Sequence, residues 1–279
     1  LPHDWAVAGP FTDEVPSGEG CLKYYGKAVY RRALELPSET GDAWVEIEGA
    51  MSRAEVYLNG RKVGERPYGY ASFRVPVAES GTLEVRLDNP KDSARWYPGA
   101  GLYRHVRLVA YPKGVEHLLP GTVFITTPEV TEERATVKVT YETTKGKGER
   151  TFEVERPLLW SPETPSLYRL ELFGETFTYG IRKVEFDPAR GFFLNGRHRQ
   201  MKGVCQHSDL GPLGIAAHES GLRRQLTILK EMGCDAIRTS HNPPAPALLD
   251  LCDEMGFLVM DEAFDMWRLR KTQFDYARF

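Results

Sequence analysis

The sequence predicts a multidomain chain: a β jelly-roll sandwich, an Ig-like β-sandwich, and the first part of an incomplete (β/α)8 TIM barrel. Three observations carry this. Apolar residues alternate with period two up to about residue 185, and Tyr111-Pro112-Lys113-Gly114 interrupts the run. Near the end, a helix–glycine–strand unit repeats at an offset of 23 residues, from Glu231 to Glu254. A length of 279 residues suits two or three domains.

The first domain, 1–111, is read from its strands. Val45 and Ile47 alternate with Glu46 and Glu48, and Leu83, Val85 and Leu87 alternate with Glu84, Arg86 and Asp88. Such alternation marks strands with one buried face. Val56 and Leu58 lead into Asn59-Gly60, a hairpin signal because both turn residues need positive φ. Short strands with no helical stretch suit a β-sandwich or jelly roll. The second domain, 112–185, carries alternating stretches at 135–141, 151–155, 168–173 and 176–179, enough for a small Ig-like sandwich.

From 186 the pattern changes. Asn195-Gly196 marks a further hairpin, and Gln200 to Cys205 reads as a strand. A helix is expected near Gly221 to Met232, with Leu222, Leu226 and Leu229 on one face and Gly233 as its stop. Asp235 to Thr239 is the next strand; a second helix spans about Ala245 to Met255, and Phe257 to Asp261 is a third strand. Aligning the repeats places Arg238 and Asp261 at the C-terminal ends of neighbouring parallel strands, the edge on which barrel active sites are built.

His207 follows the first of these strands, Arg238 and His241 the second, and Asp261 and Glu262 the third. Taken singly, each is as well explained by a structural ion pair or a loop cap. As a set they read as a rim of hydrogen-bonding groups for a hydroxyl-rich ligand. A metal site of His207, His241 and a carboxylate is chemically possible, but no local spacing supports it. There is no nucleophile elbow and no phosphate loop, and Gly211-Pro212-Leu213-Gly214 reads as a flexible rim loop.

Composition excludes other classes. The 36 basic and 39 acidic residues are interspersed, so no patch suits nucleic acid. No apolar stretch approaches the roughly 20 residues a membrane span needs. A soluble chain is expected, with its compartment open between cytoplasm and periplasm or exterior. Cys21, Cys205, Cys234 and Cys252 fit buried free thiols better than a disulfide framework. Leu1-Pro2-His3-Asp4-Trp5 has neither a Met nor a leader, which points to a processed chain or an excerpt with its first domain N-terminally incomplete.

Several motifs together resemble glycoside hydrolase family 2, in its β-galactosidase-like branch. They are Gly191-Phe192-Phe193-Leu194-Asn195-Gly196, Lys202-Gly203-Val204 with His207, Ile237-Arg238-Thr239-Ser240-His241-Asn242-Pro243, and Asp261-Glu262-Ala263-Phe264-Asp265-Met266-Trp267. Leu1 to Trp5, Arg95 to Arg104 and Leu159 to Pro165 agree, so the resemblance covers nearly the whole chain. It implies retaining hydrolysis of a β-glycosidic bond by two glutamates, carried on later barrel strands. The barrel portion, 186–279, holds 94 residues and three core strands, against about 250 residues and eight strands in a full barrel. Both glutamates are therefore expected beyond Phe279, with no catalytic residue in this chain and no activity by it alone.

The resemblance also implies that His207, Arg238 and His241 line the sugar pocket. Asp261 is expected to orient Arg238, Asp265 and Trp267 to line the pocket mouth, and Arg95 and Trp96 to reach the site from the first domain. The implied partner is a carbohydrate. No cofactor is implied, although a divalent or sodium ion accompanies some members, and a homo-oligomer is compatible with the longer protein. Two alternatives stand: a non-catalytic carbohydrate-binding protein, or the same family with β-glucuronide or β-mannoside specificity.

Overall fold

The computed structural model describes residues 1–14, 22–91 and 96–264. The first module pairs seven strands: β1 (Gly26–Leu34), β2 (Thr40–Ile47), β3 (Ala54–Leu58), β4 (Arg61–Arg66), β5 (Phe73–Pro76), β6 (Gly81–Asn89) and β7 (Val106–Pro112). They form two antiparallel sheets, ordered β1-β6-β3-β4 and β5-β2-β7. Val45, Ile47, Phe73 and Val75 of one sheet pack against Val56, Leu58, Val85 and Leu87 of the other. Each such side chain contributes about 1.5–3 kcal/mol on burial, so the period-two pattern itself closes the sandwich. Asn59 (φ 50°) and Gly60 (φ 79°) form the β3–β4 turn, both left-handed as their sequence predicts.

The second module contains β8 (Phe124–Val130), β9 (Arg134–Thr143), β10 (Gly146–Glu155), β11 (Tyr168–Leu172) and β12 (Glu175–Tyr179). Its sheets are β10-β9-β8 and the hairpin β11-β12. Ala135, Val137 and Val139 of β9 are fully buried against Leu172 and Ile181. Two aromatic joints tie this module to its neighbours. Tyr111 stacks on the buried His117 ring at 3.8 Å and donates to Glu175 at 2.9 Å. On the other side, the buried Trp160 indole donates to the Asp253 carbonyl at 2.8 Å.

A small antiparallel sheet follows, of β13 (Val184–Asp187), β14 (Gly191–Leu194) and β15 (Arg197–His198). β16 (Gly203–Gln206), helix α1 (Glu219–Glu231), β17 (Ala236–Thr239), helix α2 (Pro246–Met255) and β18 (Leu258–Met260) complete the described chain. β16, β17 and β18 pair in parallel in that order. Leu222 and Leu226 of α1 and Leu248, Leu251 and Cys252 of α2 close over Ile237 and Phe257. Gly256 ends α2 in the left-handed conformation, φ 74°. The first strand is Gly203–Gln206, shifted toward the C-terminus from the expected 200–205. Among the described residues no helix is long and apolar enough to cross a membrane.

Gly211-Pro212-Leu213-Gly214, expected to be flexible, is a 3-10 turn closed by Leu210 N–H donating to the Gly214 carbonyl at 2.7 Å. Its next residue, Ile215, is buried in the first module's second core cluster. Docking against that module, rather than local turn chemistry, holds the loop.

Candidate functional site

Successive strand residues face opposite sides of the parallel sheet. Ile237 is 2% exposed and packs under the helices. Arg238 therefore projects from the other face, level with Cys205 on β16 and Met260 on β18. The register from β17 to β18 is thus 238 to 260, an offset of 22 rather than the 23 of the sequence repeat.

That single residue corrects the expected partner of Arg238. Two residues beyond Met260 along the same face stands Glu262, and its Oε1 contacts Arg238 Nε. Asp261 falls on the alternate side, is exposed, and accepts from Thr239 Oγ1 at 3.2 Å. Glu262, not Asp261, orients Arg238. The same carboxylate also holds His241, whose Nδ1 lies 3.1 Å from Glu262 Oε2. Arg238 Nη2 approaches that nitrogen at 3.4 Å. One nitrogen cannot donate and accept at once, and the shorter, charge-assisted contact assigns the Nδ1 proton to Glu262. Nε2 of His241 is then the ring's acceptor.

Arg238 Nη1 donates to Cys205 Sγ at 3.1 Å. That guanidinium, followed by Ser240, draws the Cys205 thiol below its ordinary pKa. Cys205 is exposed, whereas Cys234 is partly buried and Cys252 buried. The expectation of buried free thiols therefore fails at Cys205, because an inward-facing strand position carries it. Cys21 lies outside the described residues.

His207 follows β16, and its ring meets His241 edge-on, centroids 5.3 Å apart. A further neighbour comes from the first module. Trp96 stacks on His207 at 3.9 Å with planes 16° from parallel, and its Nε1 donates to Asp209 Oδ2 at 3.0 Å. Gln225 on α1 fixes this stretch, donating to the Asp209 carbonyl at 2.9 Å and accepting from Gln206 at 2.6 Å.

The first module buttresses the rim elsewhere too. Arg104, 2% exposed, donates to the Pro243 carbonyl at 2.7 Å and to the Tyr70 carbonyl at 2.9 Å. Ala217 N–H donates to the Tyr103 carbonyl at 2.8 Å, and the Tyr68 hydroxyl lies 2.8 Å from the Ala263 carbonyl. Asp4 accepts from Ile215 N–H at 2.9 Å.

The structure therefore brings together Trp96, His207, Arg238 and His241, with Asp261 at the edge. Arg95, Asp265 and Trp267 lie outside the described residues. The sequence counted Glu262 among the rim groups but gave the pairing with Arg238 to Asp261, and it left Asp209 and Cys205 out of the rim. Period two counted from Met260 would have found Glu262; no local signal marks Asp209. Among the described residues no group of three His, Cys, Asp or Glu side chains could hold a metal ion.

Residues 187–269 match the family model for glycosyl hydrolases family 2, TIM barrel domain, and residues 118–174 match that for glycosyl hydrolases family 2. Beta-galactosidase BoGH2A of Bacteroides ovatus is 40% identical, aligned with 100% of this chain and 39% of its own length. A putative beta-glucuronidase of Formosa agariphila is 35% identical, over 100% of this chain and 31% of its own. The crystal structure of a glycosyl hydrolase family 2 member from Bacteroides cellulosilyticus superposes with a TM-score of 0.90 at 31% identity, covering 99% of this chain and 43% of that one. The chain thus spans well under half the length of these relatives.

Proposed function

This chain belongs to glycosyl hydrolase family 2, and on that premise we propose that it forms the sugar-binding wall of a retaining β-glycosidase of the β-galactosidase type. The observation that carries the reading is the convergence of Arg238, His241 and His207, with Trp96, at the C-terminal ends of parallel strands. We read 1–111 as a jelly-roll domain, 112–185 as an Ig-like sandwich and 186–279 as the first part of the barrel. The paired sheets of the first two modules and the span of the barrel-domain match support that division.

Retaining hydrolysis needs two carboxyl groups about 5 Å apart, one protonated and one ionised. Glu262 is committed to Arg238 and His241, and Asp261 is turned toward Thr239. Neither is free to protonate a leaving group or to attack a sugar. The reacting pair comes from barrel strands other than β16, β17 and β18. Arg238 and His241 bind hydroxyls of the terminal sugar and fix its orientation. Two of the three tryptophans that bear on the binding-module alternative disfavour it: Trp5 and Trp44 are partly buried, Trp5 against the sandwich core and Trp44 against Tyr111 and His117, whereas Trp96 is 49% exposed. The 35% identity to a relative named as a putative beta-glucuronidase keeps that sugar in the assay.

The test compares aryl β-galactoside and aryl β-glucuronide hydrolysis by residues 1–279 and by a polypeptide with all eight barrel strands. The reading expects no turnover by the former and β-galactoside turnover by the latter. Stoichiometric hydrolysis by residues 1–279, or none by the longer polypeptide, would overturn it.

A further inference from the structure

Arg104 reaches the barrel from the first module, but not all of its donors are spent there. The residue is 2% exposed. Nη1 donates to the Glu48 and Tyr70 carbonyls at 3.2 and 2.9 Å, and Nη2 to the Pro243 carbonyl at 2.7 Å. Nε, also buried, has no partner among the described residues. A guanidinium stays protonated, so this N–H is a permanent donor whose burial unpaired is costly.

The matching acceptor stands across the module boundary. Gln225 donates through Nε2 to the Asp209 carbonyl at 2.9 Å, which turns its Oε1 toward Gln206. Gln206 answers by donating through Nε2 at 2.6 Å. The network thereby fixes which way the Gln206 amide points. Its Oε1 is left buried, with no partner among the described residues. Both residues line one small cavity of about 20 Å³, whose other walls include Tyr103, Leu210, Leu222 and Leu248. A single water needs about 10–15 Å³ and at least two polar partners.

We propose that this cavity is a binding site for one water molecule, which accepts from Arg104 Nε and donates to Gln206 Oε1. A cation there would meet the guanidinium and an anion the amide oxygen, so a neutral molecule that both donates and accepts is what fits. Gln206 immediately precedes His207. The water is thus a joint between the first module and the strand end that carries the rim histidine, whichever sugar the site takes.

Water–protein NMR on residues 1–279 tests it, with solvent water as the probe. Arg104 Hε is expected to show cross-peaks to the water line that have opposite signs in NOESY and ROESY spectra, the signature of a held water as opposed to proton exchange. Gln206→Met, which keeps the length of the side chain but removes the acceptor, is expected to abolish them. A high-resolution crystal structure of the wild type should show one density peak about 2.7–3.2 Å from both atoms, which keeps the proposal testable if the variant fails to fold. Wild-type spectra without the cross-peaks, or cross-peaks that persist in Gln206→Met, would overturn the bridge. So would density showing Nε and Oε1 bonded to each other or to other protein atoms.

Discussion

Replacing Asp4 by alanine removes an acceptor on which three donors converge. The residue is 1% exposed, and its carboxylate accepts from Ala6 N–H at 3.0 Å, Tyr97 Oη at 2.7 Å and Ile215 N–H at 2.9 Å. One donor comes from each of three segments: the N-terminal stretch, the first module's 97–104 loop and the barrel loop. A buried donor left unpaired costs about 1–3 kcal/mol, so Asp4→Ala, which strands three, is expected to cost at least about 3 kcal/mol. Asp4→Asn keeps the shape but places an N–H2 where an oxygen was, facing at least one donor, for about 1–3 kcal/mol. Gly214→Ala should act at the same place, since its φ is +60° and a Cβ would lie 2.2 Å from Asp4 Oδ2. Burial raises the Asp4 carboxyl above its ordinary 3.8. The folded form then holds the proton more tightly than the unfolded chain, so this contribution is full below pH ~3.8 and is lost as pH rises through the raised value. The stability gap between wild type and Asp4→Asn therefore narrows as pH rises. Urea unfolding at several pH values, with hydrogen exchange at the Ile215 and Ala217 amides, reads both effects. An Asp4→Ala protein within about 0.5 kcal/mol of wild type would refute the hydrogen-bond argument. A gap that widens with pH would refute the charge argument.

Three further outcomes are expected. Leu226, fully buried on the inner face of α1, should cost about 3–5 kcal/mol on replacement by alanine, read by denaturant unfolding, because the helix cannot collapse into the space. Cys205, exposed and drawn down by Arg238, should be alkylated by iodoacetamide well before Cys252, which burial pushes up to about 12; peptide mass spectrometry gives the order, and Arg238→Ala should slow the Cys205 reaction. Arg199 holds the Glu163 carboxyl at about 2, so its contribution is present above pH ~4.5 and lost as pH falls through that value. Glu163→Gln should flatten the acid limb of the stability–pH curve between these limits, and an unchanged limb would show the pair to be inert.

Strands, hairpins and helices were legible because each has a local cause. Asn59-Gly60 and Asn195-Gly196 both form left-handed turns where expected. Leu222 and Leu226 define the face of α1 that is buried, and Gly233 and Gly256 follow the ends of α1 and α2 in left-handed conformations. Register was less legible. The repeat aligned Arg238 with Asp261, but strand pairing is set by how the helices pack, and it placed Arg238 beside Met260. With a side-chain period of two, one residue of slip exchanges the faces. Hence Glu262 took the role expected of Asp261. Cys205 was misread for a related reason: an apolar run does not reveal which of its residues face the barrel interior.

Contacts between modules left the faintest trace in the sequence, and they decide what the site can be. Leu1 to Trp5 reads as a motif without a mechanism until Asp4 is seen to hold Ile215 and Tyr97 together. Arg104 reads as one more strand-flanking cation until its guanidinium is found buried against the Pro243 carbonyl. Trp96 is expected from the sequence only to reach the site, and the structure gives it a half-exposed ring clamped to His207 and Asp209. These contacts share one direction: each ties a loop of the first module to a loop that follows β16 or β17. Barrel-rim loops are ordinarily the variable and mobile part of that fold. Here they are held by a neighbouring sandwich, so the positions of His207 and His241 depend on residues about 100 or more positions earlier in the chain. Disrupting the Asp4 junction should therefore loosen the Trp96–His207 stack without touching either ring.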